Sequence, residues 1–396
     1  MAQKRQLLAA VLVMISFLTS GCWDRTEIEN RGYVLGVAID LAAPEAKGGY
    51  DLDRAFQQTG TRRYRLSYEL PKFGKSDGGE KSGSSSKSIV YSAEGESLTA
   101  ILKAMTTKIA LQIFLEDVKV ILISEDVARQ GIRDMADPMF RHPGGNRQAI
   151  IIVTKGQAED FLKRKPKSMG EINSLAYDKL EQTAQGTATI AAASDLGYIA
   201  KSLQGKQGFS APFIYLEKDE VKFIGAALFN SKGKMAGIGD EYENIGGKLW
   251  RKKLTQGTIV VSHPNRTEGI IAFEISKGKT TIQPEFSGET VRFIVEGEIS
   301  GSIDENANLD ERLSKDKKIV TAIAQAVEAE LTNHAYAALH KLQTVRADTV
   351  GLGDLIRRKN PPYWKKIKDR WEEEILPTVE ADIRIKVTIT GSGMNL

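Results

Sequence analysis

The residues that could do chemistry in this chain of 396 amino acids are few and far apart. Cys22 is the only cysteine, so no disulfide can form within the chain. The four histidines are scattered, and His334 and His340, six apart, do not share a helix face as an i, i+4 metal pair would. Ser84 and Lys87 match a Ser-x-x-Lys pattern, but without the Ser-Asp-Asn and Lys-Thr-Gly partners of that chemistry. We therefore predict no catalytic residues, no cofactor and no metal site.

The position of the single thiol is informative, because Cys22 follows an apolar run in "LTSGCWDRTEI". Lys4 and Arg5 precede the apolar residues 7–18. A run of 12 residues is too short to span a bilayer core, which takes about 20 residues. It fits the apolar region of a secretory signal. The alternative is an uncleaved anchor, or a buried helix with a cysteine there by chance.

The residues around the thiol resemble a bacterial lipobox. Small residues Ser20 and Gly21 precede Cys22, while Thr19 stands where the usual motif has leucine and Leu18 is one residue earlier. In such proteins the cysteine carries S-diacylglycerol and, after cleavage, an N-acyl group. Two or more acyl chains anchor a protein stably, whereas one binds a membrane only marginally. The resemblance implies cleavage between Gly21 and Cys22, with residues 1–21 as signal peptide.

Composition excludes one class of partner. The net charge is +4, and without Lys4 and Arg5 there are 53 basic residues against 51 acidic ones. This balance is too even for a nucleic-acid-binding surface, so we expect no nucleic acid partner. The basic stretch "KRKPK" at residues 163–167 either contacts anionic lipid headgroups or is a solvated helix end.

The N-terminal half mixes predicted strands and helices. Apolar runs predict buried strands at 33–40, 118–124 and 149–154, and helical spacing after Ser97 predicts a capped helix. The composition of "GKQGFSAP" predicts a linker at residues 205–212.

The C-terminal half has a different periodicity. Strands are predicted at residues 221–229, 258–262, 269–275 and 280–286, with "SKGK" as a hairpin turn between the last two. Residues 310–346 contain no proline or glycine and predict one long helix. Alternation predicts a strand at residues 379–390, central in its sheet, with Ile385 facing inward and Lys386 outward. Trp364 and Trp371, seven apart, are predicted on one helix face, in the core or in a ligand cage.

These elements predict an α+β, multi-domain fold of mixed sheets and packed helices, whose C-terminal domain is a largely antiparallel sheet with one long helix. The predicted units are an N-terminal α+β region at 22–204, the linker at 205–212 and a C-terminal domain at 213–396.

Three stretches together resemble one family. They are "GCWDRTEIENRGYVLGVAID", "FLEDVKVILISEDVARQGIRDMADPMFR" at residues 114–141, and "DLIRRKNPPYWKKIKDRWEEEILPTVEADIRIKVTITGSG" at residues 354–393. From Cys22 onward the chain resembles the Ger(x)C family, the lipoprotein C subunit of GerA-type spore germinant receptors. The resemblance implies a three-domain α+β protein without enzymatic activity. It also implies membrane lipid attachment at Cys22 on the outer face of the spore inner membrane, and A-type and B-type membrane subunits as partners.

Two other functions stay open on the residues alone. One is a substrate-binding lipoprotein of a transporter, which usually has two parallel α/β lobes around a cleft. The other is a lipid-anchored envelope hydrolase, which needs a nucleophile with its base. The antiparallel pattern of the C-terminal half and the scattered chemical residues favour the receptor subunit, acting as an extramembrane assembly scaffold.

Overall fold

The computed structural model describes residues 31–42, 63–72, 87–135, 139, 145–164, 172–184, 186–189, 194–218, 220–264, 269–288, 290–303 and 317–392. Within these ranges the main features are an eight-stranded sheet built mostly from the first half of the chain and a four-stranded sheet from the second half. This mixed architecture confirms the predicted α+β class.

Within the described ranges, the chain before the predicted linker forms seven strands and five helices. Its strands are β1 (Arg31–Tyr33), β2 (Gly36–Leu41), β3 (Tyr64–Pro71), β4 (Ser88–Gly95), β5 (Gln112–Phe114), β6 (Val120–Ser124) and β7 (Ile150–Thr154). Its helices are α1 (Leu98–Lys108), α2 (Glu125–Gln130), α3 (Ala158–Lys163), α4 (Asn173–Ala184) and α5 (Leu196–Gln204). Ser97 caps α1 by accepting from the backbone N–H of Ala100, as predicted.

The eight-stranded sheet has the order β10-β9-β8-β7-β6-β2-β3-β4. Its centre, from β8 to β2, is parallel, and its flanks are antiparallel. All five residues of β6 and all five of β7 are buried. Strands buried on both faces are typical of parallel sheets with helices on each side, which explains the continuous apolar runs in the sequence.

A strand begins inside the predicted linker, at residue 209. Strand β8 (Phe209–Glu217) pairs with β7 on one side and with β9 (Glu220–Phe229) on the other, and β10 (Met235–Gly239) completes the sheet. Phe209 and Phe213 are almost fully buried, and the ring of Phe209 stacks on Phe229 at 4.6 Å. Glycine, serine and proline give this stretch the composition of a linker, although it also contains the apolar residues of a strand. The division into regions 22–204 and 213–396 stays a prediction.

The four-stranded sheet has the order β11-β12-β13-β14. Its strands are β11 (Gly257–Ser262), β12 (Ile270–Ser287), β13 (Thr290–Ile303) and β14 (Glu380–Ser392). The first two pairings are antiparallel and the last is parallel. The predicted "SKGK" hairpin is wrong, because β12 runs through it with a bulge between Ile275 and Lys277. Gly278 is there because a Cβ would meet the Leu254 carbonyl, and not because the chain turns.

One face of this sheet is covered by helices. Helix α6 (Glu241–Trp250) and the long helix α7 (Lys317–Val345) pack on it. Helix α7 has 29 residues, or about 43 Å at 1.5 Å per residue. The predicted helix at 310–346 is confirmed over this range, and the rest of its start lies outside the described residues. The opposite face of the sheet carries exposed charged side chains.

Strand β14 has the predicted faces but not the predicted position. Ile383, Ile385 and Val387 are buried, whereas Arg384 and Lys386 are exposed. The strand lies at the edge of the sheet and not at its centre. Alternation reports which face is buried, but it contains no information on lateral order. Side chains of α7 form hydrogen bonds with backbone groups along this edge. Gln343 donates to the Val379 carbonyl at 2.8 Å, and Glu328 accepts from the Val387 N–H at 2.9 Å.

Two short helices and a set of tight turns lead into β14. They are α8 (Leu352–Lys359), α9 (Pro361–Ile367), the 3-10 turns Lys368–Arg370 and Leu376–Thr378, and the π-helical turn Trp371–Ile375. The rings of Trp364 and Trp371 meet edge to face at 5.9 Å and belong to the core, so the core interpretation is confirmed. They lie on different elements, and the predicted single helix face is wrong.

Candidate functional site at the junction of the two sheets

The predicted site residue, Cys22, lies outside the described residues, as does the bond between Gly21 and Cys22. The first described element after it is β1, nine residues further on. Strand β1 pairs in parallel with β5, and the guanidinium of Arg31 lies 4.8 Å from the centre of the Phe114 ring. Nine extended residues span at most about 32 Å. A lipid on Cys22 would therefore hold β1 within that distance of the bilayer surface.

One carboxylate links the turn that follows β9 to the segment that precedes β14. Glu372, in the π-helical turn, accepts hydrogen bonds from the Ser231 N–H at 2.9 Å and from the Ser231 hydroxyl at 2.5 Å. It also accepts from the Asp348 N–H at 3.0 Å. Ser231 lies in the turn between β9 and β10, so this carboxylate fastens the eight-stranded sheet to the segment that precedes β14. We name Glu372, Ser231 and Asp348 the junction clamp.

Burial determines the electrostatics of the clamp. Burial raises the pKa of Glu372, and the hydrogen bonds from Ser231 and Asp348 offset part of this rise. The neighbouring Glu373 is exposed, forms ion pairs with Lys232 at 3.2 Å and Arg346 at 3.4 Å, and has its pKa lowered by Lys232. Exposed pairs of this kind add little stability, so the clamp depends on Glu372.

Asp348 itself organises the start of α8. Its carboxylate accepts from the backbone N–H groups of Gly351 and Leu352 at 2.9 Å and of Gly353 at 2.6 Å. It also accepts from the indole N–H of Trp371 at 3.0 Å. A carboxylate at a helix start satisfies N–H groups that have no partner within the helix. Asp348 therefore has a structural task and no spare oxygen positions for chemistry.

Buried carboxylates in the first half have the same kind of task. Asp40 accepts from the N–H groups of Ala158 at 2.6 Å and Glu159 at 2.9 Å, at the start of α3. Burial raises the pKa of Asp40, and these two bonds offset part of the rise. Glu69 accepts from the N–H groups of Asn173 at 3.1 Å and Ser174 at 2.8 Å, at the start of α4. Both carboxylates fix helices against the sheet.

One hydroxyl–carboxylate pair resembles part of a nucleophile site. The hydroxyl of Ser92 donates to Glu159, which also pairs with Lys163 at 2.7 Å. Burial alone would raise the pKa of Glu159, but the hydrogen bonds from Lys163 and Ser92 outweigh it and lower that pKa. A carboxylate with a lowered pKa is a weak general base. The pair therefore serves as a polar contact between β4 and α3.

The histidines are not brought together in the described ranges. His334 is buried in α7, 3.5 Å from Glu330 and 4.8 Å between ring centres from Tyr242, whereas His340 is exposed. His142 lies outside the described residues. Within the ranges that the structure describes, no three His, Cys, Asp or Glu side chains are grouped as metal ligands would be. None of the helices in those ranges combines the length and apolar character that a bilayer crossing requires.

The sequence pattern did not predict the junction clamp. Its carboxylate lies in the run "WEEEIL", which has the composition of a solvated helix face. A π-helical turn from Trp371 to Ile375 closes with a backbone bond from the Leu376 N–H to the Trp371 carbonyl. This turn places one glutamate of the three against Ser231 and leaves Glu373 and Glu374 exposed. The signal that the sequence did contain was the run of three glutamates directly after Trp371.

Two family models match the chain one after the other. The model described as "Spore germination protein N-terminal domain" covers residues 24–216. The model described as "Spore germination B3/ GerAC like, C-terminal" covers residues 224–393.

Relatives match over nearly their whole length. The chain is 29% identical to spore germination protein YndF of Bacillus subtilis (strain 168), over 98% of this chain and 96% of that protein. It is 24% identical to spore germination protein KC of the same strain, over 98% and 97%. Spore germination protein B3, also of that strain, is 24% identical over 97% of each.

A solved structure has the same fold. The crystal structure of the GerBC protein superposes with a TM-score of 0.56 at 21% identity, over 89% of this chain and 97% of that one. The predicted resemblance is thus confirmed. The chain belongs to the GerAC-like family of spore germination proteins, the C subunits of the germinant receptor complexes that act in spores.

Proposed function

We propose that this protein is a lipid-anchored subunit of a spore germinant receptor, held by Cys22 on the outer face of the spore inner membrane. The observation that carries the proposal is the position of Cys22: the only thiol stands at the end of an apolar signal, and the family match begins two residues later, at residue 24. The anchor and the family region therefore meet without an intervening domain.

In this proposal the protein acts as an assembly scaffold for A-type and B-type membrane subunits and has no catalytic role of its own. The junction clamp supports a scaffold, because it fastens the eight-stranded sheet to the segment that leads into β14. Arg31 is nine positions after Cys22, so a scaffold anchored there would stay close to the membrane subunits. The buried carboxylates support the same conclusion, since Asp40, Glu69 and Asp348 are used to fix helix starts.

The test replaces the thiol and keeps the signal. Cys22→Ala should give a chain without lipid, because alanine offers no atom for diacylglyceryl transfer. We expect loss of metabolically incorporated palmitate and transfer from the detergent phase to the aqueous phase in a Triton X-114 partition. Ser20→Ala is the matched control, since alanine is also small and should leave processing intact.

Partner binding could retain an unlipidated chain at the membrane. The same partition is therefore repeated in a strain that lacks the genes for the A-type and B-type subunits. If Cys22→Ala still partitions like the wild type in that strain, the anchor is not at Cys22. Co-purification of both membrane subunits with the wild-type chain tests the assembly role separately, and its absence after crosslinking would refute the scaffold.

A further inference from the structure

A cleft lies where helices α6 and α7 pack near strands β8, β9 and β10. It is a small cavity of about 40 Å³ that opens to solvent. Residues of the eight-stranded sheet and of helix α7 line it, including Leu228 and Leu342. The cleft is separate from the junction clamp, because neither Glu372 nor Ser231 lines it.

Cations predominate in its lining. The charged residues in the described lining are three cations, Lys248, Arg251 and Lys341, and one carboxylate, Glu243. Glu243 is already engaged, because it accepts from the Asp240 N–H at 2.8 Å and pairs with Lys341 at 3.2 Å. Among the described residues that line the cleft, no other carboxylate accompanies the charges of Lys248 and Arg251. The two residues are three apart near the end of α6, so their side chains lie on the same face.

Both cations are held in place and still have donors to offer. Lys248 is 7% exposed and gives one of its three N–H groups to the Thr187 carbonyl. Arg251 donates from Nε to the Thr349 carbonyl at 3.1 Å and from one Nη to the Tyr198 hydroxyl at 2.7 Å. Its guanidinium has five N–H donors, so several stay available.

The electrostatic environment favours an anion. Burial lowers the pKa of Lys248 to about 8, and the negative charge of Glu181 partly opposes this fall. Burial and the charge of Arg251 also lower the pKa of the nearby Lys253, with Asp195 acting in the opposite direction. An ammonium with such a pKa is mostly charged at pH 7 but poorly solvated, and a bound anion would stabilise it.

The rest of the cleft is suited to an apolar group. Ala338, Leu342 and Val350 form part of the wall, and Gly247 leaves open space where a side chain would stand. We propose that this cleft binds a small organic anion, whose anionic group is held by Lys248 and Arg251 while its short apolar body lies against Leu342 and Val350. This proposal does not depend on the lipid anchor.

The experiment uses the full chain in detergent micelles, with butyrate as the organic probe and inorganic phosphate as the purely anionic one. Each is titrated against chloride at equal ionic strength, and binding is followed by saturation-transfer NMR or by the shift in melting temperature. Lys248→Met removes the buried ammonium, and we expect it to weaken butyrate binding about tenfold or more. Lys365→Met is the matched control, because it removes the same charge from an exposed position on α9.

A second variant tests the cleft without changing its charge. Gly247→Leu fills the open space and suits a helix better than glycine, so the protein should stay folded while butyrate binding is lost. Failure of both anions to bind the wild type above chloride would overturn the proposal. So would unchanged binding in Gly247→Leu. Phosphate binding as tight as butyrate would overturn the organic part and reduce the site to one for a bare anion.

Discussion

In strand β6 of the eight-stranded sheet all five side chains are buried, whereas buried and exposed side chains alternate along β13 of the four-stranded sheet. The first sheet has helices on both faces, and the second has α6 and α7 on one face and water on the other. Charged groups follow the same division. Asp40 and Glu69 are buried and cap helices, while Arg292 and Lys386 lie on the exposed face.

This difference determines where the sequence can vary. A side chain anywhere in β6 contacts a packed layer, so a change at any position alters the core. In β14 only every second side chain does so, and the others can change with little effect on stability. The exposed face of the C-terminal sheet is therefore the part of the molecule whose charges are least restricted by folding.

The largest expected effect compares neighbouring residues in the two sheets. Ile121→Asp and Leu122→Asp in β6 should both destabilise by several kcal/mol, because both side chains are at most 1% exposed and an unpaired charge would be buried. In β14 only Ile385→Asp should do so, and Lys386→Ala should stay within about 0.5 kcal/mol of the wild type. Denaturant titration of the full chain measures all four.

The milder changes Ile121→Ala and Leu122→Ala keep this test informative if an aspartate variant fails to fold. Each should cost about 2–5 kcal/mol. If Lys386→Ala unfolds at lower denaturant than Ile385→Asp, the faces of β14 are assigned the wrong way round. If only one of the two β6 positions is sensitive, that sheet is not packed on both sides.

A smaller effect is expected at the junction clamp. Glu372→Ala leaves the Ser231 N–H and hydroxyl and the Asp348 N–H without an acceptor, and should cost about 1–3 kcal/mol. Hydrogen exchange at the Ser231 and Asp348 amides should become faster. Glu374→Ala is the control, because that side chain is 60% exposed and pairs only with Arg370. Equal exchange rates in the two variants would show that the carboxylate does not fasten the eight-stranded sheet to the segment that leads into β14.

Opposite pH dependences should distinguish two buried glutamates. The pKa of Glu372 is raised, so the folded state takes up its proton at higher pH than the unfolded chain, and wild type should gain stability over Glu372→Gln as the pH falls from 7 towards 4.5. The pKa of Glu159 is lowered, so the unfolded chain binds the proton first. Wild type should lose stability relative to Glu159→Gln at lower pH, as the pH falls below about 4.5. Slopes of the same sign would contradict one of the two assignments.

The two sheets also differ in how well the sequence predicted them. The apolar runs at β6 and β7 and the alternation at β14 predicted the strands and the buried faces, because period and hydrophobicity are local properties. The order of the strands across a sheet is not a local property of the sequence. The edge position of β14 and the continuation of the first sheet into β8 depend on pairing between residues far apart in the chain.

Local composition failed where glycine had a packing role. Gly278 suggested a turn but allows β12 to pass close to the Leu254 carbonyl, and Gly205 and Gly208 suggested a linker just before β8. The junction clamp could not be predicted from the sequence for a related reason. Which of three adjacent glutamates is buried depends on a π-helical turn, and its partner Ser231 is 141 residues away.

The smallest expected effects concern ion pairs. On the exposed face Arg292 makes two bonds to Glu380, at 3.0 and 2.6 Å, with both side chains more than half exposed. In the first sheet Arg65 makes two similar bonds to Glu94, at 2.9 and 2.7 Å, with both side chains about 30% exposed. The hydrogen-bond geometry of the two pairs is alike, so a difference in their coupling energies would reflect how exposed each pair is to solvent.

A double-mutant cycle on each pair, with alanine at every position, should give a weak coupling for Arg292 and Glu380 that disappears at about 1 M salt, where the Debye length is about 3 Å. The coupling between Arg65 and Glu94 should be stronger and should persist in salt, because partial burial limits screening and Glu159 lies 3.6 Å from the same guanidinium. Equal couplings that disappear together at high salt would mean that the first sheet is as open to solvent at this edge as the second is on its outer face.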